Sequence, residues 1–180
     1  LLRSKRHQRL FRQTTLHIMP KIKKPLTEQE IYQKLSYRCS VCEYSPYDIE
    51  QKALQQGATP DVAERIVDRL TDQNFINEQR YAQSFVHDKF EFNHWGRKKI
   101  AMTLLQKRIS STIADLALSA IDDQQYQSVL RELLTTKSRQ LKEPDPYKRS
   151  QKLLAFAVSR GFEPHLAYDI IDAIGSEEDI

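Results

Sequence analysis

The chain has 180 residues and a net charge of +4, with 39% hydrophobic and 29% charged residues and only four glycines. Low glycine with abundant Leu, Gln, Lys, Glu and Ala favours helix throughout, and the apolar fraction is enough to fill a core. No apolar run approaches the ~18 residues that span a bilayer, and the N-terminus lacks the apolar core of a secretory signal, so no membrane contact is expected.

Residues 1–24 carry eight basic side chains and no acid, so the remaining residues hold a net −4. A basic arm over 1–25 is therefore expected, and Met19-Pro20 is a plausible true start, which would place residues 1–18 upstream of it. The charge is then near neutral, and local patches must carry any case for nucleic acid. Thr27-Glu-Gln-Glu30 is a capping box that predicts a helix to about Tyr37. Cys39 and Cys42 form a Cys-x-x-Cys, but the five histidines are scattered and no βαβ pattern surrounds it. Reduced, buried or half-buried thiols in a cytoplasmic protein are expected, with no metal and no cofactor.

Ser45-Pro46 opens a helix to Gln56, and Gly57 ends it in the left-handed conformation. Thr59-Pro60 starts the next, with Val62, Ala63, Ile66, Val67 and Leu70 on one face. Asn77 caps a helix carrying Tyr81, Phe85 and Phe92 on one side. Trp95 or Gly96 opens another through Lys107, with Ile100, Leu104 and Leu105 inward. Ser111 caps a helix to Ile121, and Asp122 or Asp123 caps a long one with Tyr126, Val129, Leu130, Leu133 and Leu134. The segment from Lys142 to Pro146 is the clearest break. Asp145-Pro146 then starts a helix ending at Gly161, and the last runs from Pro164 to Gly175, with Ser176–Ile180 frayed.

One unit recurs three times. Leu54-x-x-Gly57-Ala58-x-Pro60-x-Val62-Ala63-x-x-Ile66-Val67-x-x-Leu70 aligns with Leu105-x-x-Arg108-Ile109-x-Ser111-x-Ile113-Ala114-x-x-Ala117-Leu118-x-x-Ile121. Both align with Val158-x-x-Gly161-Phe162-x-Pro164-x-Leu166-Ala167-x-x-Ile170-Ile171-x-x-Ile174, at offsets of 51 and 53. A period of this length marks stacked helical units, each with an apolar face it cannot bury alone. The expected fold is all-α: about nine helices in tandem three-helix units forming an elongated, curved array, divided as 26–92, 93–141 and 142–180. Such arrays present long surfaces and rarely build catalytic pockets. With no Gly-rich phosphate loop and no arguable Ser/His/Asp set, no enzyme activity is expected.

Within this frame, Phe75-Ile-Asn-Glu-Gln-Arg80-Tyr-Ala-Gln-Ser-Phe85-Val resembles the G-x-I-D-D-x-R-F-A-x-x-F segment of the RecX family. Trp95-Gly96-Arg97-Lys98-Lys99-Ile100 through Leu104-Leu105-x-Lys107-x-Ile109 resembles its G-x-x-R-I-x-x-x-L-x-x-K-G-I segment. The resemblance covers about residues 27–175. It implies a helical-repeat modulator that binds the recombinase RecA along its nucleoprotein filament, usually inhibiting it, in homologous recombination, DNA repair and the SOS response. Weak contact with single- or double-stranded DNA and a monomeric state go with that reading. Three departures stand out. Asn77-Glu78 replaces an acidic pair, Arg38–Tyr44 widens the first junction, and Arg108 replaces a glycine, so that turn is expected to be built differently.

Candidate binding residues are Arg80, Trp95, Arg97, Lys98, Lys99, Lys107 and Arg108, with Lys148, Arg149 and Lys152 in a second basic region that also holds Lys137, Arg139 and Lys142. The cations suit phosphates or carboxylates of a filament, and Trp95 suits an interface anchor. Against this, Phe92 and Trp95 suit packing between the first two units, Arg80 suits a bond to a neighbouring unit, and the second region suits a solvated linker face. Arg65 and Arg69 are expected to pair locally with Asp61 and Asp68. The rival functions are a sequence-independent helical DNA-binding protein acting without RecA and a plain protein scaffold.

Overall fold

The computed structural model describes residues 25–178. The basic arm, Pro25 apart, and the start expected at Met19 lie outside the described residues. Among the described residues nine helices and no strand occur: α1 Glu28–Val41, α2 Pro46–Gln55, α3 Pro60–Asp72, α4 Glu78–Glu91, α5 Arg97–Gln106, α6 Ser111–Leu118, α7 Asp123–Gln140, α8 Pro146–Arg160 and α9 Pro164–Glu178.

The helix starts follow the capping side chains. Thr27 and Glu30 close a reciprocal capping box on α1, Ser45 caps α2, and Asn77, Asp122 and Asp145 accept from the first-turn amides of α4, α7 and α8. Proline occupies the first turn of α2, α3 and α8. Three bounds differ from the expected ones. α1 runs past Tyr37 to Val41, so the widened first junction is an extra helical turn. Ser110, not Ser111, caps α6, because the repeat places residue 111 at the first helical position that Pro60 and Pro164 hold. α9 continues through Gly175, where a Cβ would meet open space.

The three repeated turns share one geometry. Gly57, Arg108 and Gly161 have φ of 94°, 60° and 91°. The next residue in each case, Ala58, Ile109 or Phe162, donates its N–H to the carbonyl of Ala53, Leu104 or Ala157 at 3.0–3.1 Å. Arg108 therefore builds the same turn as the glycines and bears the left-handed strain, about 1 kcal/mol, that they avoid. Its side chain recovers part of this through an exposed ion pair with Glu50 at 2.8 Å. Arg108→Gly is expected to be near neutral at low salt and to stabilise by about 1 kcal/mol at high salt, where the pair is screened in the wild type. Thermal melts at two ionic strengths check this; destabilisation at high salt would contradict it.

Helix contacts group α1 with α2 and α3, α4 with α5 and α6, and α7 with α8 and α9. The expected boundaries at 92 and 141 therefore each fall one helix late: α4 closes the second unit and α7 the third. The core is divided unequally. Ile31, Leu35, Ile49, Ile66, Leu70 and Ile76 belong to one cluster confined to the first unit. A second, continuous cluster runs from Tyr81 to Ile174 through the other two units, with Tyr126 and Phe162 fully buried in it.

Both cysteines are free thiols, but only Cys39 is buried; Cys42, the C-cap of α1, is exposed, against the expectation that both were covered. Burial, with the Glu43 carboxylate nearby, pushes the Cys39 thiol up to about 11. One thiol per chain is thus expected to react with an aromatic disulfide reagent at neutral pH, and both after denaturation. Because the folded state keeps the Cys39 proton longer than the unfolded chain does, its contribution to stability is present below pH ~9 and falls as pH rises towards 11. Two fast-reacting thiols in the native protein would contradict this placement.

Candidate partner-binding surface

The first and second units meet through ion pairs. Arg80 Nε donates to Glu43 at 2.5 Å, and its Nη2 donates to the Asn74 and Phe75 carbonyls at 3.3 Å each. Lys107 donates to Asp48 at 2.5 Å, and Arg108 to Glu50 at 2.8 Å. Both cations lie by the Tyr47 ring, at 5.8 Å and 4.8 Å from its centroid. A cleft of about 470 Å³ opens beside them, lined by Tyr47, Glu50, Glu64, Glu78, Lys107 and Arg108. Three of the candidate cations are therefore engaged in the fold's own junction. Arg65 and Arg69 also pair differently from expectation. They reach across to α1, Arg65 to Glu28 at 2.6 Å and Arg69 to Gln29 at 3.1 Å and over the Tyr32 ring, so α3 is clamped onto α1.

The second and third units meet backbone to backbone. Gly96 N–H donates to the Arg160 carbonyl at 2.9 Å and Lys98 N–H to the Gly161 carbonyl at 3.1 Å. A Cβ at Gly96 would collide with the Gly161 carbonyl and the Phe162 nitrogen, and one at Gly161 with Lys99. The first amides of α5 are thus satisfied by the end of α8. Arg97 belongs to the same junction. Its N–H donates to the Tyr126 hydroxyl at 2.9 Å, its guanidinium to the Ile121 carbonyl and Asp123 at 2.7 Å each, and it stacks over the Tyr126 ring at 4.4 Å. Tyr126 in turn donates to Glu163 at 2.7 Å, and burial drives its ionisation far above the ordinary range. Trp95 is half-buried against the large core with Lys89 and Lys99 over its ring at 5.5 Å and 4.4 Å. Phe92 is exposed, so neither aromatic packs the junction of the first two units as expected.

In the second basic region, Lys152 pairs with Glu143 at 2.5 Å and holds its carboxyl below the usual range. Arg149 donates to the Ser138 hydroxyl at 2.8 Å, and exposed Lys148 lies 3.9 Å from Asp145. The Lys98 side chain remains exposed with no partner among the described residues. It shares one outward face of α5 with Met102 and Leu105, at positions i, i+4 and i+7. Leu105, expected inward, is 54% exposed, and so is its counterpart Val158 on α8, at 47%. Met102 escaped the sequence reading, although its spacing from Lys98, opposite Ile100 and Leu104, was the available signal. Among the described residues no group of three His, Cys, Asp or Glu could hold a metal ion, and no helix is long and apolar enough to cross a membrane.

The family model for the second three-helix domain of RecX matches residues 77–118, which is α4–α6 with its Asn77 cap, and that for the third matches residues 123–171. In sequence order and in register with the packing, the two cover just over half of the chain. This chain belongs to the RecX family. The Clostridium perfringens (strain 13) regulatory protein RecX is 29% identical over 133 residues, 73% of this chain and 62% of that protein. The Clostridium botulinum (strain Eklund 17B) one is 32% identical over 131 residues, 72% of this chain and 59% of that protein, and the Mycobacteroides abscessus one 31% over 134 residues, 73% and 66%. The chain thus spans about three fifths of the clostridial relatives' length. A crystal structure of regulatory protein RecX superposes with a TM-score of 0.73 at 23% identity, covering 81% of this chain and 71% of that one. RecX from Lactobacillus salivarius gives 0.67 at 24%, covering 84% and 96%. These two likenesses establish the RecX fold.

Proposed function

We propose that this RecX-family chain binds RecA and its nucleoprotein filament and lowers recombinase and ATPase activity in homologous recombination and DNA repair, as a cytoplasmic regulator and not an enzyme. The ordered match of two RecX three-helix domains carries this reading. The mode is interaction by shape: units strung end to end bridge successive protomers of the filament and obstruct its groove. Four of the nine candidate cations, Arg80, Arg97, Lys107 and Arg108, hold the units to one another, and the outward face of α5 is the contact surface in this reading. Lys98 there supplies an unspent charge, and Met102 and Leu105 supply apolar area.

Lys98→Glu combined with Leu105→Glu tests the reading. The pair is expected to weaken binding to RecA filaments about tenfold, in the range of an interface contact of 1–2 kcal/mol, with an unchanged melting temperature because neither side chain is buried. Filament affinity equal to wild type would remove this face from the interface.

A further inference from the structure

The junction of the first and second units is built differently from that of the second and third. The second and third share a core, in which Tyr126 stacks against Phe90 and Phe162, and they exchange backbone hydrogen bonds at Gly96 and Lys98. The apolar cluster of α1–α3 ends at Ile76 and the larger one begins at Tyr81, and no buried side chain among the described residues belongs to both. Nor, among the described residues, does any backbone hydrogen bond cross from 25–76 to the rest. What crosses is charge. Glu43, Asp48 and Glu50 of the first unit pair with Arg80, Lys107 and Arg108 of the second, and the Tyr81 hydroxyl bonds Ser45 and Asp48. All six charged side chains keep part of their surface in water, so dissolved ions reach and weaken the pairs. One Glu43 carboxylate oxygen is buried without a partner, a cost that is relieved when the junction parts.

The chain passes between the two units in a single step. Ile76 is buried in the first core, and the next residue, Asn77, caps α4. Asn77 is extended backbone, with φ −146° and ψ 115°, so rotation there redirects α4 without unwinding either unit. Arg80, one turn into α4, reaches back over this step to Glu43 and to the Asn74 and Phe75 carbonyls. Lys107 and Arg108 engage α2 from the far end of α5.

We propose that the first unit is a hinged arm that turns as a rigid body about Ile76–Asn77. Arg80 is its pivot, and the Lys107–Asp48 and Arg108–Glu50 pairs are an ionic latch. Screening by salt, or a charged surface competing for the same groups, releases the latch, so charge sets the angle between the first unit and the rest of the array. The proposal concerns the free chain and is tested without RecA.

The experiment is spin–spin distance measurement on the full chain in a Cys42→Ser background, where buried Cys39 stays unlabelled. Labels at Lys34→Cys on α1 and Thr112→Cys on α6 span the hinge. Labels at Thr112→Cys and Gln124→Cys on α7 span the shared core, and all three positions are exposed. Raising salt from about 0.05 M to about 0.5 M cuts the screening length to about a third, and is expected to widen the distance distribution across the hinge about twofold while the second pair stays unchanged. Lys107→Gln with Arg108→Gln is expected to give the wide distribution already at low salt, with no further response. Arg108→Gly keeps the turn and removes one latch pair, so it should give an intermediate width, and it remains decisive if the double variant fails to fold. A narrow distribution at both salt concentrations and in the variants would overturn the proposal. So would equal widening of both label pairs, which marks loosening of the whole chain.

Discussion

Gly96→Val is expected to lower the unfolding free energy by about 3 kcal/mol or more. The added side chain has nowhere to go, because the atoms a Cβ would meet are the Gly161 carbonyl and the Phe162 nitrogen, which are backbone and cannot rotate away. Relief requires α5 and the end of α8 to part, breaking the Gly96-to-Arg160 and Lys98-to-Gly161 hydrogen bonds. Overpacking costs about 1–3 kcal/mol and each hydrogen bond about 1 kcal/mol more. Gly57 provides the control. Unlike Gly96, which is extended with φ −74°, it is left-handed, but a Cβ there meets nothing within 4 Å, so Gly57→Ala is expected to cost only about 1 kcal/mol of backbone strain. Urea unfolding curves separate the two; equal losses would show that the close approach at Gly96 carries no energy.

Tyr126→Ala is expected to cost about 3–5 kcal/mol, the range for removing a buried aromatic side chain. Tyr126 is 1% exposed and stacks against Phe90 and Phe162, at 5.9 Å and 5.0 Å between centroids. Its hydroxyl links the α5 amide of Arg97 to Glu163 at the start of α9. Tyr126→Phe keeps the ring and leaves those two groups without their partner, for about 1–2 kcal/mol. The first unit has its own core, joined to the rest by partly exposed ion pairs. Amide exchange in Tyr126→Ala should therefore accelerate in α4–α9 while protection in α1–α3 persists. Uniform loss of protection would contradict the division into two cores.

These results bear on how the basic residues are read. Arg97, Lys98 and Lys99 are consecutive, and sequence adjacency suggests one patch. The fold sends them to three fates: Arg97 into the Tyr126 junction, Lys99 onto Trp95, and Lys98 into solvent. Charge reversal at Arg97 would weaken binding by loosening the junction, so only Lys98 reports on the surface. The helices themselves were legible because caps and turns are local: Thr27, Ser45, Asn77 and Asp145 each act within three residues. The repeat located the three turns, but the one at Arg108, expected to be built differently, takes the same left-handed geometry as the glycines. It could not say which flanking helix closes each bundle, since a repeated turn leaves the frame open by one helix. The Gly96–Gly161 contact joins residues far apart in the chain, and no spacing rule connects them.

The measurement that tests the central claim most directly is RecA ATPase on single-stranded DNA with this protein added at a substoichiometric ratio. A regulator that acts on the filament should depress turnover well beyond its molar share, and Lys98→Glu with Leu105→Glu should restore it. ATPase unchanged at every ratio, with the chain folded and at full concentration, would contradict the proposed function.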